Sequence, residues 1–184
     1  MPSNPVDERD RIQLRPGERL VVNLPDGSSR EVRSLLNVVG PQGFGSFVWN
    51  EDGAGTGPVW ARVDLGAQTL SVFRGMDEIG TAVIVYGTSA KPTPLGWFTI
   101  LDKQRDYHSR TYDAPMPWML RLTDDGVALH ASQIYKGRAT HGCIGAPDEF
   151  AGRLFAVMNR GDRVLIVDTM QANRPNGPSS LSGR

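Results

Sequence analysis

Val59-Trp60-Ala61-Arg62-Val63-Asp64-Leu65-Gly66-Ala67-Gln68-Thr69-Leu70-Ser71-Val72-Phe73 is the stretch that decides the fold of this chain. Apolar residues recur at strand spacing on either side of Gly66-Ala67-Gln68, as in two strands folded back across a tight turn. A third strand-like run at residues 81–86 follows the break at residues 74–80, so the whole stretch reads as an antiparallel meander. Downstream, Thr93-Pro94-Leu95-Gly96 bends the chain into a strand at residues 97–101. Residues 119–122 and 127–130 then form a hairpin around Asp124-Asp125-Gly126, which leaves His130 at a strand end. One helix is signalled. Pro147 suits its first turn, Asp148 and Glu149 complement its dipole, Phe150, Leu154, Phe155 and Met158 share a face, and Gly161 ends it. Residues 164–167 close the domain as a buried strand. Upstream, residues 19–23 and 31–36 flank Pro25-Asp26-Gly27 as a hairpin, and the Gly- and Pro-rich residues 40–58 read as an irregular connector holding a strand or two.

The composition agrees with a mainly β chain of one core. Its 184 residues are 39% hydrophobic, and 21 Gly and 13 Pro favour short strands joined by turns over long helices. Twenty Lys and Arg balance twenty Asp and Glu, with no stripe of base and aromatic, which argues against nucleic acid as a partner. No apolar run has the roughly 18 residues of a membrane-spanning helix. The first twenty residues lack the grammar of a secretory signal, which leaves the compartment to be inferred from the chemistry. Residues 102–113 are too long for a routine turn and too charged for core, so they read as a loop. With Tyr107, His108, Tyr112 and Trp118 around it, that loop could present aromatic walls to a ligand as a lid.

Chemistry concentrates in Thr140-His141-Gly142-Cys143-Ile144-Gly145, which holds the only cysteine of the chain. Cys143 has no disulfide partner, so three readings stand: a buried apolar thiol, one ligand of a His-His-Cys zinc site, or a nucleophile. A nucleophilic Cys needs an imidazole or a local positive field to yield thiolate. His141 lies two positions before it, on the same face of an extended segment, and His130 could fold over from its strand end. Gly142, without a Cβ, lets a backbone N–H approach a reacting carbonyl.

Several motifs in order then resemble a known family. Thr93-Pro94-Leu95-Gly96-Trp97-Phe98, Met116-Pro117-Trp118, Leu129-His130 and Thr140-His141-Gly142-Cys143-Ile144 resemble the signature of the L,D-transpeptidase (YkuD-type) catalytic domain. Val63 to Val72 resembles that family's opening strands. The resemblance implies a β-sandwich-like catalytic domain with one substantial helix over residues 59–168. It is flanked by a flexible N-terminus at residues 1–17, a β-hairpin extension and Gly-rich connector at residues 18–58, and a disordered tail at residues 169–184.

It further implies an envelope or periplasmic enzyme acting on peptidoglycan stem peptides without metal or organic cofactor. Cys143 would be the nucleophile, His130 the base, His141 a second active-site histidine, and the carbonyl of Ala131 the group orienting His130. The N–H groups of Gly142 and Cys143 would hold the oxyanion. The acceptor is left open between an amine and water, the latter making a carboxypeptidase or endopeptidase, and a catalytically silent wall-binding module is the rival from another class. Tyr112, Trp118, Lys136 and Arg138 are the substrate-binding candidates. Where many relatives carry Arg after the Cys-Ile pair this chain has Gly145, and the segment from His130 to Thr140 is short, which leaves two alternatives: Lys136 or Arg138 supplies the missing cation, or both are solvated surface and the pocket selects by shape alone.

Overall fold

The computed structural model describes residues 11–172. In chain order the strands are β1 (Arg11–Gln13), β2 (Leu20–Asn23), β3 (Ser29–Val32), β4 (Ser34–Leu36), β5 (Phe47–Trp49), β6 (Val59–Asp64), β7 (Thr69–Arg74), β8 (Asp77–Val83), β9 (Gly96–Thr99), β10 (Asp102–Ser109), β11 (Ala114–Arg121), β12 (Ala128–Ala131) and β13 (Ile144–Ala146). Helix α1 (Asp148–Val157), strand β14 (Arg163–Val167) and the short helix α2 (Thr169–Ala172) complete the described chain. The expected meander is present as β6, β7 and β8, paired antiparallel. It forms the centre of a sheet ordered β1-β4-β8-β7-β6-β14-β9, with β5 also on β8, and a second sheet runs β10-β11-β12-β13. Neither sheet closes into a barrel.

Strand alternation explains the layers. Ala61 and Val63 of β6 and Leu70 and Val72 of β7 face inward and share one buried cluster with Leu120, Leu129 and Ile144 of the second sheet and Phe150, Leu154 and Met158 from α1 and its end. Residues of opposite parity face out. Trp60 and the bulge-shifted Phe73 stack there with ring centroids 4.3 Å apart, in a second cluster with Val32. The β2–β3 ribbon covers that cluster, and Asn23 accepts a hydrogen bond from Trp97 Nε1 at 2.8 Å. The N-terminal extension therefore roofs the outer face of the main sheet.

Four expectations change. β1 pairs with β4 within residues 1–17, and α2 falls within residues 169–184; residues 1–10 and 173–184 lie outside the described residues. Thr169 donates to the buried Asp64 carboxylate, which fastens α2 to the end of β6. The third strand of the meander starts at Asp77 rather than at residue 81, because Asp77 and Glu78 enter the sheet with partners. Arg33 and Ser34 donate to Asp77 at 2.6 and 2.7 Å, and Leu36 N–H donates to Glu78 at 2.8 Å. Those bonds hold the Asp77 carboxyl below its usual range against the opposing effect of burial, whereas burial wins at Glu78 and pushes it up.

The polar residues 102–113 are a β-hairpin rather than a loop, with β10 paired to β11 along its length and only residues 110–113 in the turn. Its charged residues are placed by packing. Lys103 Nζ donates to the carbonyls of Phe155 and Met158 at 2.7 Å each, capping α1, which ends at Val157 before Gly161 is reached. Arg105 lies over the Trp118 ring at 4.9 Å.

Asp77→Ala leaves the Arg33 guanidinium, the Ser34 hydroxyl and Gly55 N–H without their acceptor. Urea unfolding of this variant is expected to show a loss of about 2 kcal/mol or more. A loss below about 0.5 kcal/mol would mean the junction does not hold the extension to the meander.

Candidate active site

The site forms where the second sheet meets the main one. β12 and β13 run parallel, with His130 opposite Gly145 and Ala131 opposite Ala146. Parallel neighbours cannot be joined by a tight turn. The connection from Ala131 to Ile144 therefore loops out and returns through the Thr140–Cys143 stretch. Gly145 is also bonded to Val85 in both directions, its N–H to Val85 O at 2.8 Å and its carbonyl to Val85 N–H at 3.0 Å. A Cβ at Gly145 would come within 2.6 Å of Ser132 Cβ and 2.8 Å of Val85 Cγ2. The position is a close approach of three segments, with no room for the Arg of relatives.

The turn before Cys143 is held from two sides. Thr140 donates its hydroxyl to Cys143 O and accepts from Gly142 N–H at 3.3 Å, across a Gly142 φ of +110° that favours glycine. The buried Thr93 hydroxyl donates to Gly142 O at 2.9 Å and accepts from Gly87 N–H at 3.0 Å. Gly87 itself touches this turn, since a Cβ there would lie 2.9 Å from Gly142 Cα.

His130 is nearly buried, and its Nδ1–H donates to Ala131 O at 2.7 Å. That bond leaves Nε2 as the ring's lone-pair nitrogen in the neutral form. Burial holds the His130 imidazole below its ordinary value; the Ala131 carbonyl opposes this and the charge of Arg138 adds to it. Cys143 packs partly buried against Met116, Met119 and Ala128, and its Sγ lies 3.6 Å from Gly126 O. Burial pushes its thiol up, Ala128 N–H pulls back, and Asp125 adds to the rise. His141 is exposed, and Tyr112 from the β10–β11 turn stacks on it with ring centroids 4.5 Å apart and 15° between planes.

Cys143, His130 and His141 line one cleft of about 590 Å³, with Tyr112, Arg138 and Asp148 among its other walls. Gly142, buried between His141 and Cys143, is not itself part of the wall. Of the remaining candidates, Ala131 borders the cleft, whereas Lys136 is exposed and is not part of the wall. Trp118 lies outside the wall too, against Phe155 and Asp148. Among the described residues no group of three or more His, Cys, Asp or Glu side chains is placed to hold a metal. Sequence reasoning gave no role to Thr93, read as part of a bend and of the Thr93–Phe98 motif, or to Asp148, read as a helix-start residue. The one signal for Thr93 was a hydroxyl directly before a proline in a Gly-rich bend.

Thr93→Val keeps the shape but strands Gly142 O and Gly87 N–H. Its urea stability is expected to fall by about 1–3 kcal/mol, and Thr93→Ser should restore most of that loss. Equal stability of the Val variant and the unaltered protein would show that the hydroxyl does not clamp the turn.

Comparison with known proteins agrees with this geometry. The model of the YkuD L,D-transpeptidase catalytic domain matches residues 58–166. L,D-transpeptidase 1 of Mycobacterium tuberculosis (strain ATCC 25618 / H37Rv) is 28% identical over 121 residues, covering 56% of this chain and 48% of the relative, so the chain spans about half the length of that curated relative. Among solved structures, an L,D-transpeptidase from Stackebrandtia nassauensis superposes with a TM-score of 0.56 at 23% identity, over 61% of this chain and 57% of that one. L,D-transpeptidase 3 from Mycobacterium tuberculosis, solved with a faropenem-derived adduct, gives 0.56 at 20% identity over 60% of each chain. At those identities the superpositions speak for the fold alone, and it is the match over more than half of the sequence that shows the chain to belong to the YkuD L,D-transpeptidase catalytic domain family.

Proposed function

We propose that the protein is a cysteine L,D-transpeptidase that works on peptidoglycan tetrapeptide stems at the cell envelope through a Cys143 thioester. The observation that carries this reading is the tautomer-fixing bond from His130 Nδ1–H to Ala131 O inside the cleft that Cys143 also lines. An imidazole held in this way offers Nε2 as a base, the role that an orienting acceptor supports in nucleophile–base pairs.

In the proposed reaction Sγ attacks the carbonyl joining the diamino acid to the terminal D-alanine, and its proton passes to His130 Nε2. The negative charge that develops on the carbonyl oxygen is received by the N–H of Cys143, joined by that of Gly142 as it turns from the Thr140 hydroxyl it meets at 3.3 Å, on a turn clamped by Thr93 and Thr140. On collapse the C–N bond breaks, and D-alanine leaves with the proton from His130. The acceptor amine then attacks the thioester, gives its proton to His130, and expels the thiolate, which recovers the proton. No step calls for a metal or an organic cofactor. Arg138 is the cleft cation available to a stem carboxylate, and Tyr112 keeps His141 in place by stacking.

The raised thiol and lowered imidazole favour the neutral pair at rest over a thiolate–imidazolium pair. The sign follows directly, because a thiol pushed up is protonated over a wider pH range and an imidazole pushed down is neutral over a wider one. Alkylation of Cys143 is therefore expected to accelerate with pH beyond the ordinary thiol range near ~8.5. A rate plateau between about pH 5 and 7 would instead reveal a resting ion pair.

Mass spectrometry of disaccharide-tetrapeptide incubated with the enzyme tests the function. Release of D-alanine with cross-linked dimer is the expected outcome, and tripeptide alone would name water as the acceptor. His130→Ala should cut the rate by the 10²- to 10⁴-fold typical of a positioned base. Unaltered stems after prolonged incubation with competent enzyme would overturn the reading.

A further inference from the structure

The acyl-transfer steps leave one wall of the cleft unused. Among the described residues, Asp148, the first residue of α1, supplies the only carboxylate on the cavity wall. Its Oδ1 accepts from Trp118 Nε1 at 3.2 Å. The adjacent Glu149 is paired with Arg153 at 2.8 Å, while among the described residues no cation lies within ion-pair distance of Asp148. A favourable position on the helix dipole would account for an acidic residue here, and Glu149 already meets that need. It does not account for what happens at Trp118.

Trp118 has a φ of +59°, in the left-handed region that bulky side chains avoid. Such backbone persists where surrounding structure over-determines it, and it gathers at ligand clamps. The indole is held against Phe155, with centroids 5.6 Å apart, and covered by Arg105 at 4.9 Å. It also packs beside Gly152 of α1, where a Cβ would meet it at an ordinary contact distance of 3.4 Å. The strained residue thus delivers an oriented N–H to one oxygen of Asp148 and leaves the other oxygen to accept from elsewhere. Arg138 lines the same cavity, so the walls offer one cation and one anion, a pattern that suits a ligand carrying both charges.

We propose that Asp148 is a specificity-determining residue that receives a ligand ammonium group, with Trp118 as its positioning residue. The ligand class is a peptide with a diamino-acid side chain ending in a free amine, and the identification of that peptide as a stem rests on the transpeptidase reading. Asp148 follows Cys143 by five positions, so their Cα atoms lie within about 16 Å even for a fully extended chain. Both side chains line the same cavity, so a long amine-tipped side chain held at Cys143 has Asp148 on a wall of the space it occupies.

The test is calorimetric binding to Cys143→Ala protein of two tetrapeptides that differ only in whether the third-residue side-chain amine is free or acetylated. The free amine is expected to bind about three- to tenfold tighter, the range of a charge-assisted bond weakened by solvent exposure. Adding Asp148→Asn, which keeps the acceptor for Trp118 but removes the charge, should abolish the preference and leave the acetylated peptide's affinity unchanged. Asp148→Glu should keep the preference and Trp118→Phe should narrow it. A merely structural Asp148 would weaken both peptides alike. Equal binding of the two peptides, no binding of either, or a preference that survives Asp148→Asn would overturn the proposal. Turnover by the unaltered enzyme is read separately: an amine preference without turnover removes the transpeptidase reading and keeps Asp148, and turnover without a preference does the reverse.

Discussion

The pinning of Gly145 between β12 and Val85, two residues past the end of β8, is the constraint on which the rest of the site depends. Its register opposite His130 sets β13 beside β12, and its paired bonds to Val85 tie the second sheet to the main one. Cys143 lies two residues upstream, so its placement beside Ala128 follows from that register. With Ser132 Cβ only 2.6 Å from where a side chain would begin, any residue larger than glycine must part these segments. Glycine at this position is thus a requirement of packing. Of the two cations in the segment before Thr140, Arg138 lines the cleft and Lys136 stands away from it.

Electrostatics complete what geometry starts. Burial acts on Cys143 and His130 in opposite senses, raising one and lowering the other, and both shifts favour the uncharged pair. In the proposed acyl transfer such a pair would generate its nucleophile only as a substrate carbonyl arrives, with proton transfer accompanying attack. That requirement makes the tautomer decisive, and the tautomer is set by a single backbone acceptor, Ala131 O. The N-terminal extension acts at a distance from this chemistry. It covers Trp60 and Phe73 on the outer face, while Asp77 and Glu78 anchor it to the sheet whose inner face supports the strands that border the cleft.

Elements built on apolar periodicity were legible in the sequence. The meander, the hairpin that leaves His130 at a strand end and the helix after Pro147 all show it, as does the Thr140–Cys143 block through its residue types. Elements built on partnered charge were not. Asp77 and Glu78 look like a break between strands until Arg33 and Ser34, far away in the chain, are brought against them. Residues 102–109 look like a loop because β10 earns its place by pairing with β11 and by laying Lys103 and Arg105 on the aromatic face of α1 and Trp118. Thr93 and Asp148 were silent for a related reason. Each acts through one hydrogen bond to a residue distant in sequence, and no local pattern announces such a bond.

The central claim, that Cys143 carries the acyl group, is tested most directly by intact-protein mass after rapid acid quench of enzyme mixed with tetrapeptide stem. The account predicts an added mass equal to the stem less the free D-alanine released, located by digestion on the peptide containing Cys143 and absent from Cys143→Ala. Turnover of stems with no such adduct at any quench time, or an adduct retained in Cys143→Ala, would contradict it.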